Sequence, residues 1–140
     1  MLILDTDHLS EFDQASSAGG RLRERLLTAQ EELAATIISA EEQLRGWLAQ
    51  IHRAHDDPNA QIPAYARLQR RLEFYANWTV LPWDAESAAL FLHCRRQGVR
   101  IGSMDLKIAC IALAHDATLL TRNAVDFAHV PGLRFQNWLD

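Results

Sequence analysis

Long apolar runs are missing from this 140-residue chain. Nothing approaches the roughly 18 consecutive apolar residues of a membrane span, and no basic segment followed by an apolar stretch marks export. The chain is therefore expected in the cytoplasm. Cysteine is scarce: Cys94 and Cys110 are the two present, without the CxxC or Cys/His spacing that zinc needs. In a reducing compartment they read as small core residues rather than a disulfide or redox pair. The six histidines are scattered. His52 and His55 share a helical face, but no carboxylate or cysteine completes a metal site around them, and they read as surface residues. Repeats and low-complexity segments are absent. So is an excess of basic charge: the net charge is −4, against the basic surface that usually supplies nucleic-acid affinity.

What remains is a composition that folds. Apolar residues make up 49% of the chain, which excludes overall disorder, and the length suits one domain spanning 1–140. Strand-like runs fall at Leu2–Leu4, Ala34–Ile38, Thr79–Leu81, Thr118–Thr121 and Leu133–Phe135. Helical patterns fill the intervals. Leu44, Trp47, Leu48 and Ile51 form one amphipathic stripe, and Tyr65, Leu68, Leu72 and Tyr75 form a second. Asp84 is placed to cap a third helix that stops near Gly98, and Ser103 to cap a fourth. That fourth helix, around Asp105–His115, is apolar almost all round and so belongs at the centre. Gly19-Gly20 and Asp56–Asn59 read as loops. Strands alternating with helices imply right-handed crossovers, a parallel sheet and a three-layer α/β/α sandwich.

The chemistry rests on acids at the ends of these elements. Asp5 follows the first strand directly, at the carboxyl edge where open parallel sheets bind ligands. Glu42 follows the second strand, Asp105 opens the central helix, and Asp126 lies just past the fourth strand. Carboxylates gathered at one edge repel each other, and a hard divalent cation with oxygen ligands relieves that repulsion. Each acid also has an ordinary explanation. Asp5 or Asp7 could cap the next turn, Ser39-Ala-Glu-Glu42 fits a capping box, Asp105 sits where a helix dipole favours negative charge, and Asp126 could cap a short turn. Arginines are clumped as Arg21, Arg23 and Arg25; Arg67, Arg70 and Arg71; and Arg95, Arg96 and Arg100. They read either as solvated helix faces or as phosphate-contacting patches around the acidic centre.

The contexts of these acids, taken in order, resemble a known family. Leu4-Asp-Thr-Asp7 is similar to the opening of the PIN-domain ribonucleases, in particular the VapC-type toxins of bacterial toxin–antitoxin pairs. Thr36-Ile-Ile-Ser-Ala-Glu-Glu-Gln-Leu-Arg-Gly46 resembles their second motif, whose glutamate precedes a glycine by four residues; that selects Glu42 over Glu41. Ile101-Gly-Ser-Met-Asp-Leu-Lys-Ile-Ala109 resembles the third motif. Leu120-Thr-Arg-Asn-Ala-Val-Asp-Phe127 and Val130-Pro-Gly-Leu-Arg-Phe-Gln-Asn-Trp138 resemble the fourth motif and the family's ending.

The resemblance covers essentially the whole chain. It implies a five-stranded parallel sheet of order 3-2-1-4-5, dependence on Mg²⁺ or Mn²⁺, and endonucleolytic cleavage of RNA. It also implies a small antitoxin partner and a homodimer. Asp5 and Asp105 are the first candidates for metal ligands, with Glu42 as ligand or general base and Asp126 as an outer ligand. Asn123 stands where many family members carry an acid, so it competes with Asp126 for the last position. Thr6, Ser39 and Thr121 are candidate hydroxyls for orienting the carboxylates, and Arg45 and Trp47 for an antitoxin groove. Two rivals stand beside this reading. Asp5-Thr-Asp7 also fits a haloacid-dehalogenase-type phosphatase with Asp5 as nucleophile, and Asn123 with the acidic net charge fits a non-catalytic binding scaffold.

Overall fold

The computed structural model describes residues 1–140. In chain order its elements are β1 (Leu2–Leu4), α1 (Thr6–Phe12), α2 (Ser17–Ala29), β2 (Leu33–Thr36), α3 (Ile37–Arg53) and α4 (Pro58–Ala76). There follow β3 (Val80–Leu81), α5 (Ala85–Arg96), α6 (Ser103–Ala114), β4 (Thr118–Leu120), α7 (Ala124–Phe127) and β5 (Arg134–Gln136). All pairings are parallel, in the order β3-β2-β1-β4-β5 expected from the resemblance.

Alternation along the strands builds the layers. Ile3, Ala34 and Leu119 face one side, packing with Cys94 of α5, Leu106, Ile108 and Ile111 of α6, and Phe127 of α7. Leu2, Leu4, Ala35 and Leu120 face the other, against Leu9 of α1, Leu22 and Leu26 of α2, and Tyr75 of α4. The period of two in side-chain direction thus becomes two apolar cores, one on each face of the sheet. Six residues of α6 are buried, as its all-round apolar pattern predicts. Cys94 and Cys110 are free and buried, and burial beside Cys94 pushes the Cys110 thiol up to about 12. That is the behaviour of core thiols, not of reactive ones.

Several local expectations are corrected. The strand read as Ala34–Ile38 ends at Thr36, because the Thr36 hydroxyl accepts the Ser39 amide at 3.2 Å and starts a helix despite the β-branched Ile37-Ile38. The capping box at Ser39–Glu42 therefore does not form, and Glu42 is released for other partners. Ser103 is the first residue of α6 rather than its cap; Gly102 takes that place without a side-chain bond. Gly19-Gly20 lies inside α2, not in a loop. A Cβ on Gly19 would stand 2.3 Å from the Glu11 carbonyl oxygen and 2.7 Å from that of Gln14, so the glycine permits the close approach of α1 to α2. The stripe on α4 is rotated from its expected position. Tyr65 and Leu72 are exposed, whereas Ala64 and Tyr75 are buried, with Leu68 and Arg71 half-buried between them.

Candidate functional site

Each acid reaches the carboxyl edge by a separate device. Asp5 stops β1 by capping α1: its Oδ1 accepts the His8 backbone N–H at 2.9 Å. Glu42 lies one and a half turns into α3, and its Oε1 accepts a hydrogen bond from the Thr6 hydroxyl at 3.1 Å. The Ser39 hydroxyl lies 3.1 Å from the same Thr6 oxygen, so two hydroxyls stand behind this carboxylate. Glu41, one residue earlier, turns away and pairs with Arg45 on the exposed face. Asp105 sits in the first turn of α6, where Asn123 Nδ2 donates to its Oδ2 at 3.2 Å. The same amide nitrogen donates to Asp126 Oδ2 at 2.9 Å.

The four acids named from the sequence therefore share one neighbourhood. Burial raises the pKa of Glu42, the Thr6 bond opposes the rise, and the charges of Asp105, Asp5 and Asp7 add to it. Burial likewise raises the pKa of Asp105, Asn123 opposes it, and Asp5, Asp126 and Asp7 add to it. Asp7 joins the four, although its sequence context suggests only a cap or the second acid of the phosphatase alternative. Its exposed carboxylate is near enough to act on both buried ones, and the Asp-x-Asp spacing at the start of α1 was the available signal.

Asn123 has a definite role. Its amide oxygen accepts the Asp126 backbone N–H, capping α7, while its nitrogen bridges Asp105 and Asp126. In this arrangement it donates to the acids and leaves Asp126 as the oxygen-bearing group. Thr121, fully buried, accepts the Asn123 N–H at 3.0 Å and so acts on the carboxylates through Asn123.

The residue that sequence reasoning missed is His8. Unlike the exposed His52 and His55, it is completely buried. Its Nδ1 lies 3.2 Å from Asp5 Oδ1, and its Nε2 accepts the Trp138 backbone N–H at 3.3 Å. Accepting at Nε2 places the ring proton on Nδ1, which then donates to Asp5. One oxygen of Asp5 is thus held by two donors, and the ring is braced by the chain's last residues. An aspartate three residues before a histidine was visible in the sequence, but nothing there placed Trp138 nearby.

No three of these groups stand close enough together to enclose an ion by themselves. The donor set nevertheless fits a hard cation. It is made of oxygens, two of its members are carboxylates whose charge is resisted by burial, and Mg²⁺ needs only one or two protein carboxylates while it keeps its waters. Asp5 and Asp105 would hold such an ion, with Glu42 and Asp126 beside it.

The comparisons with known proteins agree with this architecture. The PIN domain family model matches residues 2–133. A ribonuclease VapC1 of Haemophilus influenzae is 43% identical over 44 residues, 31% of this chain and 33% of the relative, so the match spans about a third of that relative's length. The structure of VapBC-1 from nontypeable Haemophilus influenzae superposes with a TM-score of 0.75 at 21% identity, covering 99% of this chain and 98% of the other. A toxin–antitoxin complex from Klebsiella pneumoniae superposes at 0.66 with 21% identity, over 95% of both chains. With the sheet order and the acidic edge in place, and the family model matching residues 2–133 of the 140, the chain belongs to the PIN domain family.

Proposed function

We propose that this protein is a divalent-metal-dependent endoribonuclease of the VapC type, the toxin of a toxin–antitoxin pair. The observation that carries the proposal is the convergence of Asp5, Glu42, Asp105 and Asp126 on one sheet edge, with mutual repulsion built into Glu42 and Asp105. The VapC name of the matched relative supports the same reading. When bound, Mg²⁺ or Mn²⁺ supplies activation of a water and neutralisation of charge on the phosphoryl oxygens. The protein's part is positional. His8 and the α1 amide fix Asp5, Asn123 fixes Asp105 against Asp126, and Thr6 aims Glu42. Glu42, with its raised proton affinity, is suited to take the proton from the attacking water.

The reading includes partners: an RNA substrate, a small antitoxin that blocks this edge, and a second copy of the chain. Leu48, Ile62, Tyr65 and Leu72 leave large apolar side chains exposed on α3 and α4, surface that such protein partners would cover. No helix is long and apolar enough to cross a membrane.

The test is RNA cleavage by purified protein in Mg²⁺, Mn²⁺ or EDTA, beside Asp5→Asn and Asp105→Asn. Cleavage is expected with metal, and both variants should be folded and inactive. Glu42→Gln is expected to lose about 10²–10⁴-fold, the usual worth of a positioned base. Wild-type cleavage by either aspartate variant would refute the assignment. An absence of both cleavage and metal binding in the wild type would favour the non-catalytic scaffold.

A further inference from the structure

A cleft of about 580 Å³ opens directly beside Glu42, between α1, α3 and α4. Its lining residues are polar or charged apart from Trp47 and Gly46, and Arg67, Arg70 and Arg71 form one wall. The arginines are not equivalent. Arg71 is used by the fold, paired with Asp13 and donating to Gln43 Oε1 at 3.2 Å. Arg67 and Arg70 have neither a carboxylate partner nor a hydrogen bond within the chain. Arg67 instead lies over the Trp47 ring, 5.2 Å from its centre. In a chain of net charge −4, two unneutralised guanidiniums beside an acidic centre are a local reversal of sign.

Gly46 supplies an independent observation. It lines the same cleft from the middle of α3, where glycine disfavours a helix relative to alanine. No heavy atom lies within 4 Å of where its Cβ would be, so packing inside the chain does not call for the missing side chain. A glycine that weakens its helix and faces open cleft fits close approach by something bound there.

We propose that this cleft is a subsite for single-stranded RNA flanking the scissile phosphate, a conclusion that rests on the nuclease reading above. Backbone phosphates engage Arg67 and Arg70, a base stacks on Trp47, and the strand passes over Gly46 toward Glu42. The volume lies within the ~300–1,000 Å³ of pockets for drug-sized molecules, room for a nucleotide or two of single strand. Flat aromatic and guanidinium surfaces beside a basic wall are the usual means of holding single strands without reading sequence.

The test is anisotropy of a short fluorescein-labelled single-stranded RNA, titrated in Mg²⁺ with full-length protein carrying Asp105→Asn to suppress cutting. Adding Arg67→Gln with Arg70→Gln should weaken binding about tenfold and flatten the salt dependence by about 0.7 in log–log slope for each phosphate no longer engaged. Trp47→Ala should weaken it about tenfold or more. Gly46→Ala should raise the melting temperature yet weaken binding, which separates a steric block in the cleft from misfolding. Arg21→Gln with Arg96→Gln, on other helices, should change little. The subsite is refuted if the parent binds no RNA, if the Arg67/Arg70 and Gly46 variants bind like the parent, or if the control pair loses as much. Unchanged RNA binding with lost antitoxin binding would assign the cleft to the protein partner instead. The two readings fail separately. Metal-dependent cleavage that is insensitive to Arg67, Arg70 and Gly46 overturns the subsite alone. Specific binding in the cleft, with neither cleavage nor metal binding by the wild type, overturns the nuclease and leaves an RNA site.

Discussion

Replacing His8 tests how the fold prepares Asp5. The ring is fully buried and makes two bonds, one to the Asp5 carboxylate and one from the Trp138 amide. A hydrogen bond to a charged group contributes about 1.5–3 kcal/mol and a neutral one about 0.5–1.5 kcal/mol. Truncating a buried side chain of this size adds a cavity penalty, and large-to-small changes in cores cost about 2–5 kcal/mol in all. We expect His8→Ala to lose about 3–5 kcal/mol, or roughly 10–20 °C in melting temperature for a chain of this length. Two further variants divide the effect. Asn at position 8 carries an N–H donor near the Nδ1 position and keeps the bond to Asp5. Gln reaches the Nε2 position and keeps the bond from Trp138. Both should be less stable than wild type, but only His8→Gln should loosen Asp5 and weaken Mn²⁺ binding, by about 10-fold or more. Thermal unfolding in EDTA and Mn²⁺ titration by electron paramagnetic resonance read the two effects separately. Equal Mn²⁺ affinities in the Asn and Gln variants would refute the positioning argument, whatever the stability loss.

The raised pKa values of Glu42 and Asp105 have a consequence for stability. The folded state holds their protons more tightly than the open chain, so without metal their effect on stability grows unfavourable as pH rises from the ordinary values, 4.5 and 3.8, through the raised ones. In EDTA, Glu42→Gln and Asp105→Asn should each gain melting temperature relative to wild type with rising pH across that window; a difference independent of pH would contradict this. Gly19→Ala should destabilise by about 1–2 kcal/mol, because a clash of about 1–3 kcal/mol with two carbonyls outweighs a helix-propensity gain of up to about 1 kcal/mol. Gly20→Ala, whose Cβ would meet only Arg23 Nη2 at 3.9 Å, should be neutral or stabilising. Denaturant midpoints of the pair check both, and equal shifts would refute the steric account.

The sequence by itself determined the layer architecture and the acidic edge. Short apolar strands alternating with helices admit few topologies, and an acid placed after a buried strand arrives at the carboxyl edge of a parallel sheet whatever its loop does. Asp5 was legible for that reason; Asp105 stood out at the start of the apolar α6, and the motif resemblance singled out Glu42 and Asp126. The almost entirely apolar α6 was legible as the central helix because, beyond Ser103, Asp105 and Lys107 near its start, it has no polar face to turn to water. Local patterns misled where two signals of the same residue type compete. Ile37-Ile38 favours a strand by branching, yet the Thr36 cap turned them into a helix. Gly19-Gly20 looks like a loop until the Glu11 and Gln14 carbonyls are set against it. Contacts between distant segments were beyond sequence altogether. The tertiary structure alone brought Trp138 to His8, across 130 residues, and so fixed which ring nitrogen faces Asp5. It alone packed α3 against α4 so that Arg71 was spent on Asp13 while Arg67 and Arg70 stayed unpaired beside Glu42. Periodicity and element ends are properties of neighbouring residues, whereas a partner for a buried ring or a guanidinium is set by how whole elements pack.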